Sequence, residues 1–364
     1  MVLSDISADT VKKHRAVLPD AAKGLAAASV VLVHCLQELN GYAWRTEGLY
    51  WGSRLNMFQH SFNLPLFMLI TGFFSCGQLK RAKTLKEGVL VLLKRSFACL
   101  FPVFAWTGFE YLIALATYPE FRSPGEILLG YLISCSEHYW FLWAVFYCYL
   151  LVWGAHFFLK DSLLFYGIVF LSLFVLPDEY GMNTYKFMYP FFLAGYYAAL
   201  NKEEIRENPV IGKACALCEK KPLKALFAAG ALYSGLFLLY NDKVFIFVSG
   251  YRITNAAAWK MIAVDLYRMI VGFAGAGFFL LLLHTLIKKY GEERFHVLPF
   301  LGRNSLGIYL LQGYVIILFL RRYTDSLMPS LFRTCMLAAG VLAVTAAATE
   351  LLGRIPGLRL LVGK

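Results

Sequence analysis

Apolar stretches recur along almost the whole chain, separated by short polar and basic loops. A helix that crosses a bilayer needs about 20 mostly apolar residues. Ten stretches approach this: 24–40, 57–77, 96–117, 138–159, 162–177, 185–200, 224–240, 263–287, 298–320 and 331–352. The pattern predicts an all-α, polytopic transmembrane helix bundle of about ten spans, forming a single integral-membrane domain over residues 1–364. The first stretch is the weakest, because its strongly apolar part is short and contains His34. Prolines 65, 102, 190 and 299 fall in or at the ends of stretches. A bundle tolerates them because neighbouring groups re-satisfy the freed backbone. Gly272, Gly275 and Gly277 loosely echo a dinucleotide-binding loop. No strand precedes them, so close helix packing is expected instead.

Composition agrees with a lipid solvent. The 364 residues are 59% hydrophobic and 16% charged, against roughly 45–50% and about 25% in soluble domains. The net charge of +12 would suggest nucleic acid in a soluble chain. Here the Lys and Arg residues gather in short loops between apolar stretches, as the positive-inside bias requires, and no nucleic-acid partner is expected. With the N-terminus inside and ten alternating spans, 24 of the 35 basic residues fall on the cytosolic side. Removing one span would place the Lys-rich 80–95 or 201–224 loop outside. Both termini are therefore expected in the cytosol. The basic residues Lys12, Lys13 and Arg15 precede no small-residue cleavage site, which predicts a retained first helix rather than a signal peptide. Of the eight cysteines, most sit in apolar stretches as small hydrophobes. Cys215 and Cys218 form a lone CxxC without the second ligand pair that zinc needs, so no metal is expected.

Ionisable residues inside spans are costly and usually functional. Lys23, His34 and Glu38 all fall in or beside the first span. Lys23 and His34 are eleven residues apart, which puts them within about 20° of a shared helical azimuth and about 16 Å apart along the axis. One helix face thus carries a cation at its cytosolic end and an imidazole well inside. Glu38 lies one turn beyond His34, where its carboxylate is expected to reach the ring. The second span carries Asn63-Leu64-Pro65-Leu66-Phe67 and then Thr71-Gly72-Phe73-Phe74. Lys94 and Arg95 bring the basic loop into the third span, and His138-Tyr139-Trp140-Phe141-Leu142 opens the fourth. Gly302-Arg303-Asn304-Ser305 and Tyr309 open the ninth, with Ser305 and Tyr309 on one face at i and i+4.

Together these residues resemble the membrane acyltransferase-3 family, bacterial integral-membrane O-acyltransferases that modify surface glycans. The family's first helix has a basic residue, ten residues and then a histidine, matched by Lys23 and His34. Its Pro-Leu-Phe run leading to Ser/Thr-Gly-Phe/Tyr matches Pro65 to Phe74, and its Trp-Phe-Leu motif matches Trp140-Phe141-Leu142. Its late Ser-x-x-x-Tyr matches Ser305 and Tyr309, and Phe191 to Tyr196 resembles a further family element. The motifs occur in order over residues 23 to about 312. Three positions depart. Many relatives have His where Asn63 and Gln312 stand, and the Arg-x-x-Arg near the third helix is incomplete, with Ala98 three residues after Arg95.

The resemblance implies an O-acyltransferase in the bacterial inner (plasma) membrane that uses cytosolic acyl-CoA, with acetyl-CoA the expected co-substrate, and a carbohydrate acceptor. On that reading Lys23, Lys94 and Arg95 hold the donor, and His34 with Glu38 is catalytic. Asn63, His138, Trp140, Ser305 and Tyr309 contact substrate. The competing class is a multi-pass transporter or flippase for a glycan or lipid precursor. It is disfavoured by the absence of paired half-repeats with interrupted helices in matching positions.

Overall fold

The computed structural model describes residues 17–47, 49–117, 123–176, 178, 182–250 and 257–364. Lys12, Lys13 and Arg15 lie outside the described residues, as does the side chain of Cys215. Each of the ten apolar stretches is helical. They correspond to α1 (Val17–Glu38), α2 (Arg54–Leu79), α3 (Leu85–Thr117), α5 (Trp140–Leu159), α6 (Leu163–Leu173), α7 (Met182–Leu200), α8 (Pro222–Leu238), α9 (Ala258–Tyr290), α10 with α11 (Val297–Arg303, Ser305–Gly313) and α12 (Leu331–Arg354). Among the described residues, seven helices are long and apolar enough to cross a membrane: α1, α2, α3, α5, α9, residues 305–324, and α12. The chain is a multi-pass membrane protein built as an all-α bundle. α6 has 11 residues and α8 has 17, so the apolar runs there outlast the helices.

Two departures from regularity have local causes. α4 (Pro124–Glu137) lies between the third and fourth expected spans, where no helix was anticipated. Its start is encoded locally: Ser123 and Glu126 form a reciprocal capping box, and Pro124 occupies the first turn. The ninth stretch is broken. α10 stops at Arg303, Asn304 interrupts it, and α11 runs into a π-helical turn over Tyr314–Leu320.

Two sets of motif glycines turn out to be helix crossings. α2 makes its most extensive packing against α7, and there Gly72 faces the Phe192 carbonyl while Gly195 faces the Leu69 carbonyl. Neither position has room for a Cβ. The Thr-Gly-Phe and Phe-Phe-Leu-Ala-Gly-Tyr elements are therefore two halves of one close contact, the kind that small residues permit between membrane helices. In the same way Gly24 of α1 abuts the Leu298 carbonyl and Gly302 abuts the Asp20 carbonyl, locking α1 to α10. This second crossing fixes Lys23 beside the start of α11. Gly272 and Gly275 of α9 pack against Phe191 and Pro65, and against Phe62 and Tyr233, so they too serve packing.

The helices differ in what surrounds them. α1 and α2 are largely buried, whereas α3, α6 and α8 expose large apolar side chains such as Leu112, Leu164 and Phe227. An apolar face of this extent is stable only against lipid. The last residue returns to the same end of the bundle as the start of α1. The Lys364 ammonium donates to Asn304 Oδ1 at 2.7 Å, and Gly302 next to it packs on Asp20.

Candidate active site

Two neighbouring cavities lie along the buried face of α1. The first, of about 240 Å³, sits at the end of the bundle that carries Lys364. Its wall includes Lys23 of α1, Arg95 of α3 and the α11 stripe Ser305, Tyr309 and Gln312. The Lys23 ammonium lies 4.7 Å from the centroid of Phe74. The Arg95 guanidinium lies 4.3 Å from that of Tyr149 and donates to Gln78 Oε1 at 2.5 Å. An aromatic face thus lies against each of the two cations. Apolar side chains, among them Val31, Phe67 and Val145, make up most of the remaining wall. A basic rim on an apolar chamber suits a ligand with an anionic head and an uncharged tail.

The second cavity, of about 140 Å³, lies further along α1 and contains His34. His60, Asn63, Trp51 and Trp140 also line it. Val30, Leu64, Phe141 and Tyr309 line both cavities, so a partition one side chain thick separates the imidazole from the basic chamber. Asn63 ties α2 to α1: its Nδ2 donates to Ser29 Oγ at 3.3 Å, and the Ser29 hydroxyl in turn donates to Gln59 Oε1. All three side chains are buried. This chain of hydrogen bonds fixes the register of the two helices that carry His34 and His60.

Most of the residues expected from sequence converge here. Lys23, Arg95, Ser305 and Tyr309 line the basic cavity, while His34, Asn63, Trp140 and Tyr309 line the histidine chamber. Three do not. Lys94 is exposed and lies outside the lining of either cavity. The His138 ring pairs with Glu110, Nδ1 to Oε2 at 3.1 Å, and is half exposed. It acts with Tyr139, whose hydroxyl donates to Glu110 Oε1 at 3.2 Å and whose backbone has φ 55°. A non-glycine residue in that region is strained and must be held. His138 and Tyr139 together anchor the turn that aims Trp140 and Phe141 inward.

The expected contact between Glu38 and His34 is not formed among the described residues. The Glu38 carboxylate instead lies 3.5 Å from Arg321 Nη1 and 3.9 Å from Arg45 Nε. A largely buried carboxylate gains far more from two guanidinium groups than from a neutral ring one turn back. Arg45 is also bound by Asp325 at 3.0 Å, so the end of α1 away from Lys23 carries a four-charge cluster.

Three site residues had gone unrecognised in the sequence as cavity or anchoring groups. Glu110 gave no signal, because its role depends on the αL turn of a distant helix. Gln312 drew notice only as a departure from the family pattern. His60 meets the criterion that singled out His34, an ionisable group within an apolar stretch, and lies one turn before Asn63 on the same face. Its Nδ1 is 3.1 Å from the Asn56 carbonyl oxygen. A carbonyl only accepts, so Nδ1 is the donor in this contact.

Residues 18–349 match the Acyltransferase domain of the acyltransferase-3 family. The nodulation protein NolL of Mesorhizobium japonicum is 25% identical over 313 residues, covering 81% of this chain and 75% of that protein. NolL of Sinorhizobium fredii is 27% identical over 187 residues, covering 51% and 49%. No solved structure matches. The matched region contains both glycine crossings and, apart from Gly363, the lining of both cavities, and on this evidence the chain belongs to the acyltransferase-3 family of membrane O-acyltransferases.

Proposed function

We propose that the protein moves an acyl group, acetyl in the first instance, from cytosolic acyl-CoA to a hydroxyl of a surface or periplasmic carbohydrate, from within the bacterial inner membrane. The observation that carries this reading is the shared partition between the basic cavity and the His34 chamber. Acyl-CoA has an anionic head and an uncharged arm. Lys23 and Arg95 attract its phosphates, with Lys94 adding to the field at the surface. The arm lies in the apolar chamber beside Ser305 and Tyr309, and its thioester reaches the partition. The acceptor enters the other chamber, between Trp140 and the Asn63 side of α2. His138 acts at a distance by holding the turn before Trp140.

A sugar hydroxyl is too weak a nucleophile to attack a thioester unaided. The His34 imidazole takes its proton as the new C–O bond forms, a contribution of about 10²–10⁴-fold. The C–S bond then breaks, and the thiolate leaves with the proton returned through the imidazolium. Glu38 serves this reaction by holding the outer end of α1 through its arginines. Family membership favours this reading over a transporter or flippase, which would need no acyl donor.

The test is His34→Ala, assayed as acyl transfer by purified protein in detergent and normalised to folded material. Donor affinity is expected to change little, and turnover is expected to fall by about two to four orders of magnitude. Retention of more than about a tenth of wild-type turnover would exclude a general-base role.

A further inference from the structure

The basic cavity contains a polar side chain with nothing to bond to. Gln312 of α11 is 1% exposed, and among the described residues neither its amide nitrogen nor its amide oxygen has a hydrogen-bond partner. Buried amides are almost always satisfied, and an exception calls for a cause. Two further observations point to a ligand. Gln312 lines the cavity on the same stripe as Ser305 and Tyr309, at i, i+4 and i+7. It also sits two residues before the π-helical turn of Tyr314–Leu320, an irregularity frequently found at functional sites.

Depth along the helix identifies what the amide would meet. α1 and α10 cross at Gly24 and Gly302, which sets Lys23 level with the start of α11. Gln312 lies seven residues beyond Ser305, about 10 Å deeper. His34 is eleven residues beyond Lys23, about 16 Å deeper on the adjacent helix. The amide therefore stands toward the far end of the donor cavity, on the approach to the partition and about 6 Å short of the level of the imidazole.

We infer that Gln312 donates its side-chain N–H to the carbonyl oxygen of the donor thioester and stabilises the oxyanion that forms there. This deepens the acyl-CoA reading and rests on it. When the acceptor oxygen bonds to the carbonyl carbon, its proton passes to His34 and the carbonyl π electrons move onto oxygen. That oxygen lies against the Gln312 N–H. Collapse restores the C=O bond, breaks the C–S bond and releases the thiolate, which takes the proton; the products are the ester and the free thiol. An uncharged donor suits this depth. A preorganised amide costs no reorganisation as charge develops, whereas a cation there would have to be desolvated beforehand.

The experiment compares two probes, acetyl-CoA and S-ethyl-CoA, the thioether that lacks the carbonyl oxygen. Gln312→Met removes the amide at nearly constant volume, and because that amide has no partner, no orphaned group remains. The variant is expected to melt no lower than wild type and to bind S-ethyl-CoA unchanged. It is expected to bind acetyl-CoA about two- to twelve-fold more weakly, the value of one neutral hydrogen bond. Release of free thiol from acetyl-CoA should slow by about 10²–10³-fold, as for loss of an oxyanion donor. Gln312→His, which keeps an N–H, should retain most of the rate. If Gln312→Met releases thiol as wild type does, or if a folded Gln312→His variant is as slow as Gln312→Met, the assignment is overturned while the acyl-CoA reading stands. If wild-type protein binds neither probe, the acyl-CoA reading fails and this assignment fails with it.

Discussion

Replacing Glu38 by glutamine separates two roles that the sequence alone could not distinguish. The carboxylate lies 3.5 Å from Arg321 and 3.9 Å from Arg45, and its side chain is 14% exposed. Each contact amounts to about 4–5 kcal/mol of gross attraction at an effective dielectric of about 20. Desolvation of the charges offsets much of this. Arg321 is 37% exposed and can regain water, while Arg45 keeps Asp325 at 3.0 Å. Glu38→Gln should therefore cost about 1–3 kcal/mol of stability, below the loss seen when a buried charge is left wholly unpaired. The assay is thermal unfolding of detergent-solubilised protein, with acyl transfer measured per folded molecule. The melting temperature should fall and turnover should stay within a few-fold of wild type. A double-mutant cycle with Arg321→Gln should show coupling of about 0.5–3 kcal/mol. An unchanged melting temperature with a tenfold loss of turnover would refute this account and return Glu38 to direct work on His34.

Three further outcomes are expected. Gly195→Ala on α7 puts a Cβ against the Leu69 carbonyl of α2 and should cost about 1–3 kcal/mol or more by overpacking; Gly77→Ala, on α2 with open space around it, should be neutral or stabilising, as paired thermal melts would show. Arg95→Gln should raise the KM for acetyl-CoA and make it less salt-sensitive, since one screened contact is lost, with a smaller effect for exposed Lys94→Gln; an equal effect at both positions would remove Arg95 from the donor site. Cys218, in the Lys-rich stretch, should resist a membrane-impermeant maleimide on intact cells and react after permeabilisation; labelling from outside would break the ten-span topology.

The helices were legible because their signal is additive. An apolar run of about 20 residues has only one cheap conformation in lipid, whatever packs beside it. α4 was missed because its cue is local, a Ser123–Glu126 box of the kind that punctuates loops as readily as it starts helices. The break at Asn304 and the π-turn beyond Gly313 left no trace in hydropathy, which does not register how backbone bonds are distributed. The glycine motifs were legible as motifs but not as contacts. Gly72 and Gly195 lie more than a hundred residues apart, and nothing in either segment names the other.

For the site, what was legible depended on whether a residue's role is set by its own helix. Lys23 and His34 share one, so spacing alone put them on a common face, and both line the cavities of α1. Ser305 and Tyr309 share a face for the same reason, and both line the basic cavity. Glu38 satisfied the same local rule and yet turned away, because Arg321 lies 283 residues downstream and sequence spacing carries no information about it. Lys94 and Arg95 are adjacent in sequence, but 100° of helix separates a cavity residue from an exposed one. Gln312 shows the opposite case. Nothing in its immediate sequence requires it to be polar. The burden of an unpartnered amide in this bundle appears only once neighbouring helices have closed around a space, whereas that of the His60 imidazole was already visible in its apolar stretch. The residues least expected from local pattern are thus the ones that the packed cavities leave needing a chemical explanation.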